Sequence, residues 1–259
     1  MAALPKPKVD PFQPTAELHW QEAEDTHQKL ICNQFSHFRN TTPTADSLYH
    51  ATVLFLLDYF THPSTNVTEL ELFYKRLFYS ELPIPDDDYI GAYATTLEGL
   101  WRLRETIQEG KKDKTSELRE KLIGVDQYMQ AFTQVLRCLA YEGVMVLKPD
   151  EAYSPGAEEE MKGMLELGDR RVEDVDLWGL AAALDVHITL EKLDLSSQST
   201  YKSVRSGENK LRLSLATVTH GKSEFHHSPY YPLYPQGWEL HDGAAYTELQ
   251  ERLHLRLSA

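Results

Sequence analysis

The chain has 259 residues, of which 41% are hydrophobic and 25% are charged. These proportions are typical of globular domains and exclude an intrinsically disordered chain. The sequence holds 26 lysines and arginines against 40 aspartates and glutamates, so its formal net charge is −14 at pH 7. Such a charge repels phosphate groups, so nucleic acid and anionic membranes are poor partners. Cys32 and Cys138 are too few for a disulfide framework, which favours the cytoplasm or the nucleus.

The two ends of the chain differ in pattern from the middle. Residues 1–14 contain four prolines and no apolar run typical of a signal peptide, so we predict a flexible arm there. A single domain is predicted over residues 15–235. Residues 236–259 are predicted to form a helical tail, because Tyr246, Leu249 and Leu253 follow at i, i+3 and i+7. No stretch approaches the roughly 20 apolar residues of a membrane span.

The first two-thirds of the domain is predicted to be mostly helical. A helix over residues 15–38 leads into a polar loop at 40–46, and an apolar helix over 48–60 follows at once. Further helices are predicted over 69–78 and 86–107, and residues 116–129 and onward to 146 are also predicted to form helices. A loop that opens directly into a buried helix is a common place for functional side chains.

The hydrophobic period changes in the last third of the chain. Residues 177–184 are predicted to form a compact apolar helix, whereas 186–193 and 210–218 alternate like strands. The serine-rich stretch 194–208 is predicted to be a long hairpin-type connection between these two strands. We therefore predict an α+β domain with a mostly helical N-terminal part and a small C-terminal β-sheet.

Three segments of the sequence resemble the signatures of one enzyme family. Residues 43–51 read PTADSLYHA, in the same nine-residue register as Pro-Asp-Gly-Asn-Cys-Phe-Tyr-Arg-Ala. Residues 173–184 (EDVDLWGLAAAL) and the closing residues 230–234 (YYPLY) resemble the end of the same domain, which closes with Gly-His-Tyr-Asp-x-Leu-Tyr. The sequence thus resembles the otubain-type OTU cysteine proteases, which remove ubiquitin. The resemblance covers roughly residues 15–235 and implies an OTU-like, papain-type domain.

The catalytic positions that this resemblance identifies carry other side chains. Ser47 stands where the family has its cysteine, Pro229 where it has its histidine, and Tyr231 where it has its acid. Thr44 and Ala45 replace the Asp-Gly pair of the loop that helps to hold the oxyanion. A cysteine protease needs a thiolate and a neighbouring base, and proline cannot accept a proton. We therefore expect a pseudoenzyme without a catalytic triad, a cofactor or a metal.

A serine-dependent hydrolase is the alternative that keeps some of these residues in catalysis. Ser47 would be the nucleophile, His227 or His226 the base, and Glu224 or Asp46 the acid. This arrangement requires the closing strand to slip by two residues. Such a slip moves a side chain by about 6.5 Å along the strand, which exceeds the length of a hydrogen bond.

Aromatic side chains gather around the closing motif and are candidates for binding a partner, since tyrosine and tryptophan are enriched at binding hot spots. Alternatively, these aromatic side chains are structural and pack at the end of a sheet. His226 and His227 could also form a zinc site with His220, but adjacent residues of an extended segment point in opposite directions, so a solvated loop is favoured. The candidate binding residues are Tyr230, Tyr231, Tyr234, Trp238, His226 and His227.

The resemblance and the altered catalytic positions together predict a non-catalytic subunit that binds a protein or acts as a scaffold. What the resemblance implies is a partner from the ubiquitin system, namely ubiquitin, a ubiquitin-like protein or a ubiquitin-conjugating enzyme. The acidic surface would complement a basic face on such a partner. The alternative of a different class is a structural assembly subunit of a larger complex, which contacts its partners through the terminal segments and does not bind ubiquitin.

Overall fold

A computed structural model describes residues 13–14, 33–41, 46–62, 65, 67–79, 87–147, 174–194, 199–205, 211–219, 230–236 and 238. The main helices in these parts of the chain are α1 (Ser47–Thr61), α2 (Val67–Tyr79), α3 (Asp87–Gln108), α4 (Lys112–Gly124), α5 (Asp126–Leu147) and α6 (Asp174–Leu184). Each predicted helix from residue 48 onward has a counterpart among them, with bounds that differ by a few residues. Apolar periodicity therefore predicted the helical part of the domain.

The described strands form one mixed sheet. They are β1 (Gln13–Pro14), β2 (Phe35–Phe38), β3 (His187–Asp194), β4 (Ser199–Arg205), β5 (Arg212–Thr219) and β6 (Tyr230–Pro235). Their order across the sheet is β1-β2-β6-β5-β3-β4. The β3–β5 pair is parallel and the other neighbouring pairs are antiparallel. The α+β class with a small sheet is confirmed, and β6 lies inside the sheet between β2 and β5.

Two predictions about the strands were wrong. Phe35–Phe38, predicted as the end of a helix, is strand β2, because pairing with β6 and burial of Phe38 override a weak helical pattern. The predicted hairpin connection at 194–208 contains strand β4, which pairs with β3 in antiparallel orientation. Because β4 occupies the hairpin position on one side of β3, β5 takes the other side and runs parallel to β3.

Helix α1 is the central helix of the core. Nearly all its side chains are buried, including the apolar run from Val53 to Leu57. It contacts α4 and α5 and strands β5 and β6 of the sheet. A helix that is apolar all round is typical of a position inside the core. Ser47 at its first position and Asp58 in its last turn consequently bring polar groups into the interior of the domain.

Helices α5 and α6 cross at a contact that only small residues allow. A Cβ atom added at Gly143 would lie less than 3 Å from the carbonyl oxygen of Gly179. A Cβ atom added at Gly179 would meet the carbonyl oxygen of Ala140 in the same way. Since the obstructing atoms belong to backbone, no rotamer change can make room for the methyl group. The two glycines therefore set the distance between the two helices.

We expect Gly143→Ala and Gly179→Ala each to lower the free energy of unfolding by about 1–3 kcal/mol, because the helices must separate. Gly91→Ala on α3 is the matched control, since a Cβ atom there meets nothing within 4 Å. That variant should be neutral or stabilising by up to about 1 kcal/mol. Urea unfolding of the three variants measures the difference. An equal effect at all three positions would contradict the tight crossing.

Candidate functional site

The start of the closing strand β6 lies next to the segment that leads into α1. The backbone N–H of Arg39 donates to the carbonyl of Pro232 at 3.3 Å. The hydroxyl of Thr41 donates to the carbonyl of Tyr230 at 2.6 Å. Asp46, the residue that precedes α1, follows five residues later, so the chain from Thr41 to Asp46 can span at most about 17 Å. The start of α1 therefore lies within about 17 Å of the Thr41–Tyr230 hydrogen bond.

Ser47 is the first residue of α1 and is buried, with 1% of its surface exposed. Asp46 precedes it as the N-cap residue, but its carboxylate makes no capping hydrogen bond. The carboxylate instead accepts hydrogen bonds on Oδ1 from Arg137 of α5, with a length of 2.8 Å from Nε and a second bond from Nη2. An ionised carboxylate only accepts hydrogen bonds, whereas stabilising an oxyanion requires donors. The Asp46 side chain itself therefore offers no hydrogen-bond donor beside Ser47.

Arg137 extends this ion pair into a buried cluster. Its side chain is 1% exposed, and its guanidinium lies 4.8 Å from the centre of the Tyr49 ring. The Tyr49 hydroxyl donates in turn to Oδ1 of the buried Asp176 on α6. The cluster joins α1, α5 and α6 at the N-terminal end of α1. The sequence analysis missed Arg137 and Asp176, although an arginine within the apolar residues of α5 was a signal that could have identified one of them.

His50 lies one turn into α1, and its backbone N–H donates to the carbonyl of Asp46 at 2.9 Å. Burial lowers the pKa of His50 from its usual value. The negative charge of Asp46 raises the pKa of His50, whereas the positive charge of Arg137 lowers it. The imidazole is therefore neutral at pH 7. It occupies the arginine position of the family signature given above, and the sequence analysis did not single it out.

Tyr230 and Tyr231 lie side by side at the start of β6 and point to opposite faces of the sheet. Tyr230 is partly buried against the core. Tyr231 pairs with Ala216 of β5, and its ring meets the Phe38 ring edge to face, with the centres 5.7 Å apart. Burial raises the pKa of Tyr231, so its hydroxyl stays protonated at pH 7. A neutral phenol therefore stands at the position where the family has a carboxylate.

Tyr234 is completely buried, and its hydroxyl donates to Oδ2 of Asp58 at 2.6 Å. Asp58 lies between two arginines, with Oδ2 3.4 Å from Arg39 Nε and Oδ1 3.7 Å from Arg119 Nη1. Burial raises the pKa of Tyr234 well above its usual value, and the Asp58 carboxylate raises it further. This candidate binding residue has no exposed surface to offer a partner, because its ring and hydroxyl are used inside the core.

Trp238 packs on the C-terminal end of α1. The centre of its ring lies 4.2 Å from that of His62, 5.4 Å from Tyr234 and 6.3 Å from Phe55. Its backbone N–H donates to the carbonyl of Pro235 at 3.1 Å. Packing against the domain therefore continues beyond residue 235, just as the sheet includes Gln13–Pro14 at the other end. Trp238 is half-buried and keeps one part of its ring exposed.

Several predicted site residues lie outside the described residues. They are Thr44, Ala45, His220, Glu224, His226, His227 and Pro229, together with the predicted helical tail after Trp238. Within the described parts of the chain, no three histidine, cysteine or acidic side chains form a group that could hold a metal ion. No described helix has the length and apolar character needed to cross a membrane.

Comparison with solved structures identifies the fold. The chain superimposes on a chain of a ceOTUB1–ubiquitin aldehyde–UBC13~Ub complex with a TM-score of 0.65 and 13% identity, covering 89% of this chain and 94% of the other. The chain has an otubain-type OTU fold. Two h/ceOTUB1–ubiquitin aldehyde complexes give the same result at 13% identity, with TM-scores of 0.64 for the UBCH5B~Ub complex and 0.62 for the UBC13~Ub complex. They cover 89% and 90% of this chain and 91% and 93% of theirs. No protein-family description and no curated protein matches the sequence.

The contacts of Arg137 lead to a prediction about the free energy of unfolding. Arg137→Met leaves the Asp46 carboxylate without its partner, so we expect the free energy of unfolding to fall by about 3 kcal/mol. Arg102→Met is the matched control, because the Arg102–Glu98 pair is more than half exposed and such pairs contribute about 0–1 kcal/mol. Chemical denaturation compares the two variants. If both lose the same small amount of stability, the Arg137 cluster does not hold the start of α1.

The buried hydroxyl of Tyr234 should make the free energy of unfolding depend on pH in alkaline solution. In the unfolded chain Tyr234 ionises near pH 10, whereas its raised pKa keeps it protonated in the folded state. Its contribution is therefore complete below pH 10 and declines as the pH rises above that value, by up to about 1.4 kcal/mol per pH unit. We expect Tyr234→Phe to be less stable than the natural protein at pH 7 and this difference to shrink above pH 10. Urea unfolding at pH 7, 9, 10.5 and 11 measures it, and a constant difference would contradict the argument.

Proposed function

We propose that this protein is a catalytically inactive otubain-like domain that acts by binding a protein of the ubiquitin system. The observation that supports inactivity most directly is the state of Ser47, which is 1% exposed and follows Asp46, whose carboxylate is held by Arg137. A serine nucleophile requires both an approach for its substrate and a base within about 2.6–3.2 Å. Tyr231 supplies a neutral phenol at the acid position, and Pro229 cannot serve as the base at the position before Tyr230.

The choice of partner rests on fold similarity and on charge. The similar solved structures are complexes that contain ubiquitin aldehyde together with UBC13~Ub or UBCH5B~Ub. The present chain matches the OTUB1-type fold over nine-tenths of its length and carries a net charge of −14. An acidic surface steers a partner with a basic face toward itself and increases the rate of association. Ubiquitin, a ubiquitin-like protein and a ubiquitin-conjugating enzyme are therefore the partners to test first.

The test combines binding and cleavage in one sample. Isotope-labelled ubiquitin is titrated with the purified protein and followed by NMR, while cleavage of di-ubiquitin is followed in the same tubes. We expect chemical-shift changes that reach saturation and no cleavage. Ser47→Ala should bind ubiquitin equally well, because Ser47 lies in the interior. Ser47→Cys should also fail to cleave, because a thiol alone has no base to deprotonate it.

The other outcomes separate the remaining functions. Cleavage that Ser47→Ala abolishes, or labelling of Ser47 by a fluorophosphonate probe, would establish a serine-dependent hydrolase and overturn the inactive domain. The absence of both binding and cleavage would overturn the ubiquitin-system partner. The same result would favour a structural assembly subunit, which proteins that copurify from cells would then identify.

A further inference from the structure

Helix α3 carries a row of apolar residues along its outer side, which we call the α3 seam. The seam consists of Ile90, Ala94, Leu97 and Trp101. Ile90 is 53% exposed and Trp101 is 42% exposed. Ala94 is also exposed, and Leu97 is partly buried against the core. A contiguous exposed apolar surface of this kind is typical of an interface with another protein.

The spacing within the α3 seam is that of a coiled coil. Its successive members follow after four, three and four residues, so they alternate between the d and a positions of a seven-residue repeat. Such a repeat keeps the row on the side of a helix that faces a partner helix. The inner side of α3 has a separate set of buried residues, which includes Leu100 and Leu103. The α3 seam is therefore a second apolar side, in addition to the side that the helix presents to the core.

Aromatic side chains of α2 border the α3 seam and orient its largest member. The Tyr74 ring meets the Trp101 ring at 5.9 Å between ring centres and stacks on Phe78 at 6.2 Å. Arg104 lies over the Trp101 ring at 5.1 Å and is held in place by Glu71 at 2.9 Å. Phe78 is 54% exposed and widens the apolar surface. The Trp101 ring is thus oriented before any partner arrives, which reduces the entropy cost of binding.

The α3 seam is symmetric in spacing about the midpoint between residues 95 and 96. If two copies of α3 lie antiparallel about a two-fold axis at that midpoint, Ile90 of each copy lies opposite Trp101 of the other. Ala94 of each copy then lies opposite Leu97 of the other. Each of these layers joins a d position to an a position and sets a smaller side chain against a larger one, so that the two rows can interdigitate.

The charges at the two ends of the α3 seam favour the same arrangement. One further step of the repeat in each direction reaches Asp87, the first residue of α3, and Arg104. The two-fold axis places residue 87 of one copy opposite residue 104 of the other, so positions of opposite charge coincide, whereas a parallel pair would bring like charges together. Beside the seam, Glu98 already pairs with Arg102 of the same helix. Antiparallel helices also place opposite ends of their dipoles side by side.

The net charge of −14 opposes the approach of two copies from a distance. At physiological ionic strength, however, exposed charges more than about 8 Å apart are largely screened, so the contacts at short range decide. From residue 90 to residue 101 the α3 seam is about 16 Å long. Such a short contact belongs to the smaller class of interfaces and therefore predicts a weak, reversible association.

We propose that the α3 seam is the interface of a homodimer, in which two copies of this chain pair their α3 helices antiparallel about a two-fold axis between residues 95 and 96. Such a contact uses the same patch on both copies. The proposal goes beyond the proposed function and does not depend on it, since neither copy needs ubiquitin in order to pair. The dimer presents two otubain-type domains at once, which raises the effective concentration of the second domain for a partner that carries two binding sites.

The first test measures the mass of the full chain by sedimentation equilibrium without ubiquitin. We expect the mass to rise from the monomer value of 29.7 kDa toward twice that value as the protein concentration increases from about 1 to 300 μM. Ile90→Glu should raise the dissociation constant about tenfold or more, because it buries an unpaired carboxylate opposite the Trp101 ring. Leu72→Glu is the matched control, since Leu72 is 57% exposed but lies about 160° around α2 from Tyr74. Circular dichroism verifies that both variants are folded.

The second test examines the register of the two helices by disulfide cross-linking. Ile90→Cys and Trp101→Cys chains are mixed and oxidised, and a disulfide forms only where two Cα atoms come within about 7 Å. We expect a linked dimer that joins residues 90 and 101 in the mixture and none in either variant alone, because the two copies of residue 90 are separated by about 16 Å along the helices. Peptide mass spectrometry identifies the linkage. The natural chain, with only Cys32 and Cys138, gives the background.

The remaining outcomes would each overturn part or all of the homodimer. A mass of 29.7 kDa at every concentration would exclude the dimer. An equal loss of association in Leu72→Glu would place the interface elsewhere, and a linked dimer of Ile90→Cys alone would contradict the antiparallel register. If the chain stays monomeric and Ile90→Glu weakens ubiquitin binding, the α3 seam is a surface for ubiquitin instead. Failure of ubiquitin binding in the earlier titration would leave these measurements unaffected.

Discussion

A carboxylate buried in the centre of the domain is the constraint on which the arrangement of α1 depends. Asp58 cannot stay charged in the core without compensation, because moving an ion out of water costs several kcal/mol. Arg39, Arg119 and the Tyr234 hydroxyl supply that compensation from three other parts of the fold. The segment after β2, helix α4 and strand β6 must therefore all converge on one point of α1. This convergence places β2 beside β6 and seats the end of β6 against α1.

The opposite end of α1 is held by a second ion pair, between Asp46 and Arg137. With both ends fixed, the helix can neither rotate nor slide along its axis without breaking a buried charge pair. Ser47 consequently stays inside the domain, at the position that corresponds to the cysteine of the family signature. The Asp46–Arg137 ion pair that orders the start of the helix also leaves a carboxylate beside Ser47. Under the proposed function, stability and the absence of catalysis at this position have one common structural cause.

The parts of the fold that sequence predicted are those governed by local apolar patterns. Helix α1 and helix α6 were predicted because their apolar runs have a length typical of buried helices. Strands β2 and β4 were not, because Phe35–Phe38 becomes a strand only by pairing with β6, which lies about 200 residues away. Arg137 and Asp176 were missed for a related reason. A buried ion pair or hydrogen bond joins residues far apart in sequence, and no periodicity marks it.

The residues that hold the fold together differ from those that would carry chemistry. Gly143 and Gly179 set a helix crossing, and Asp58 and Tyr234 connect α1 to the sheet, but none of them stands at a position where the family has a catalytic group. Substitution at position 47 or 231 therefore removes none of these contacts. An otubain-type fold is thus compatible with 13% identity to its structural relatives. Under the proposed function, such a domain acts through its surface, where the exposed aromatic rings of α2 and α3 lie.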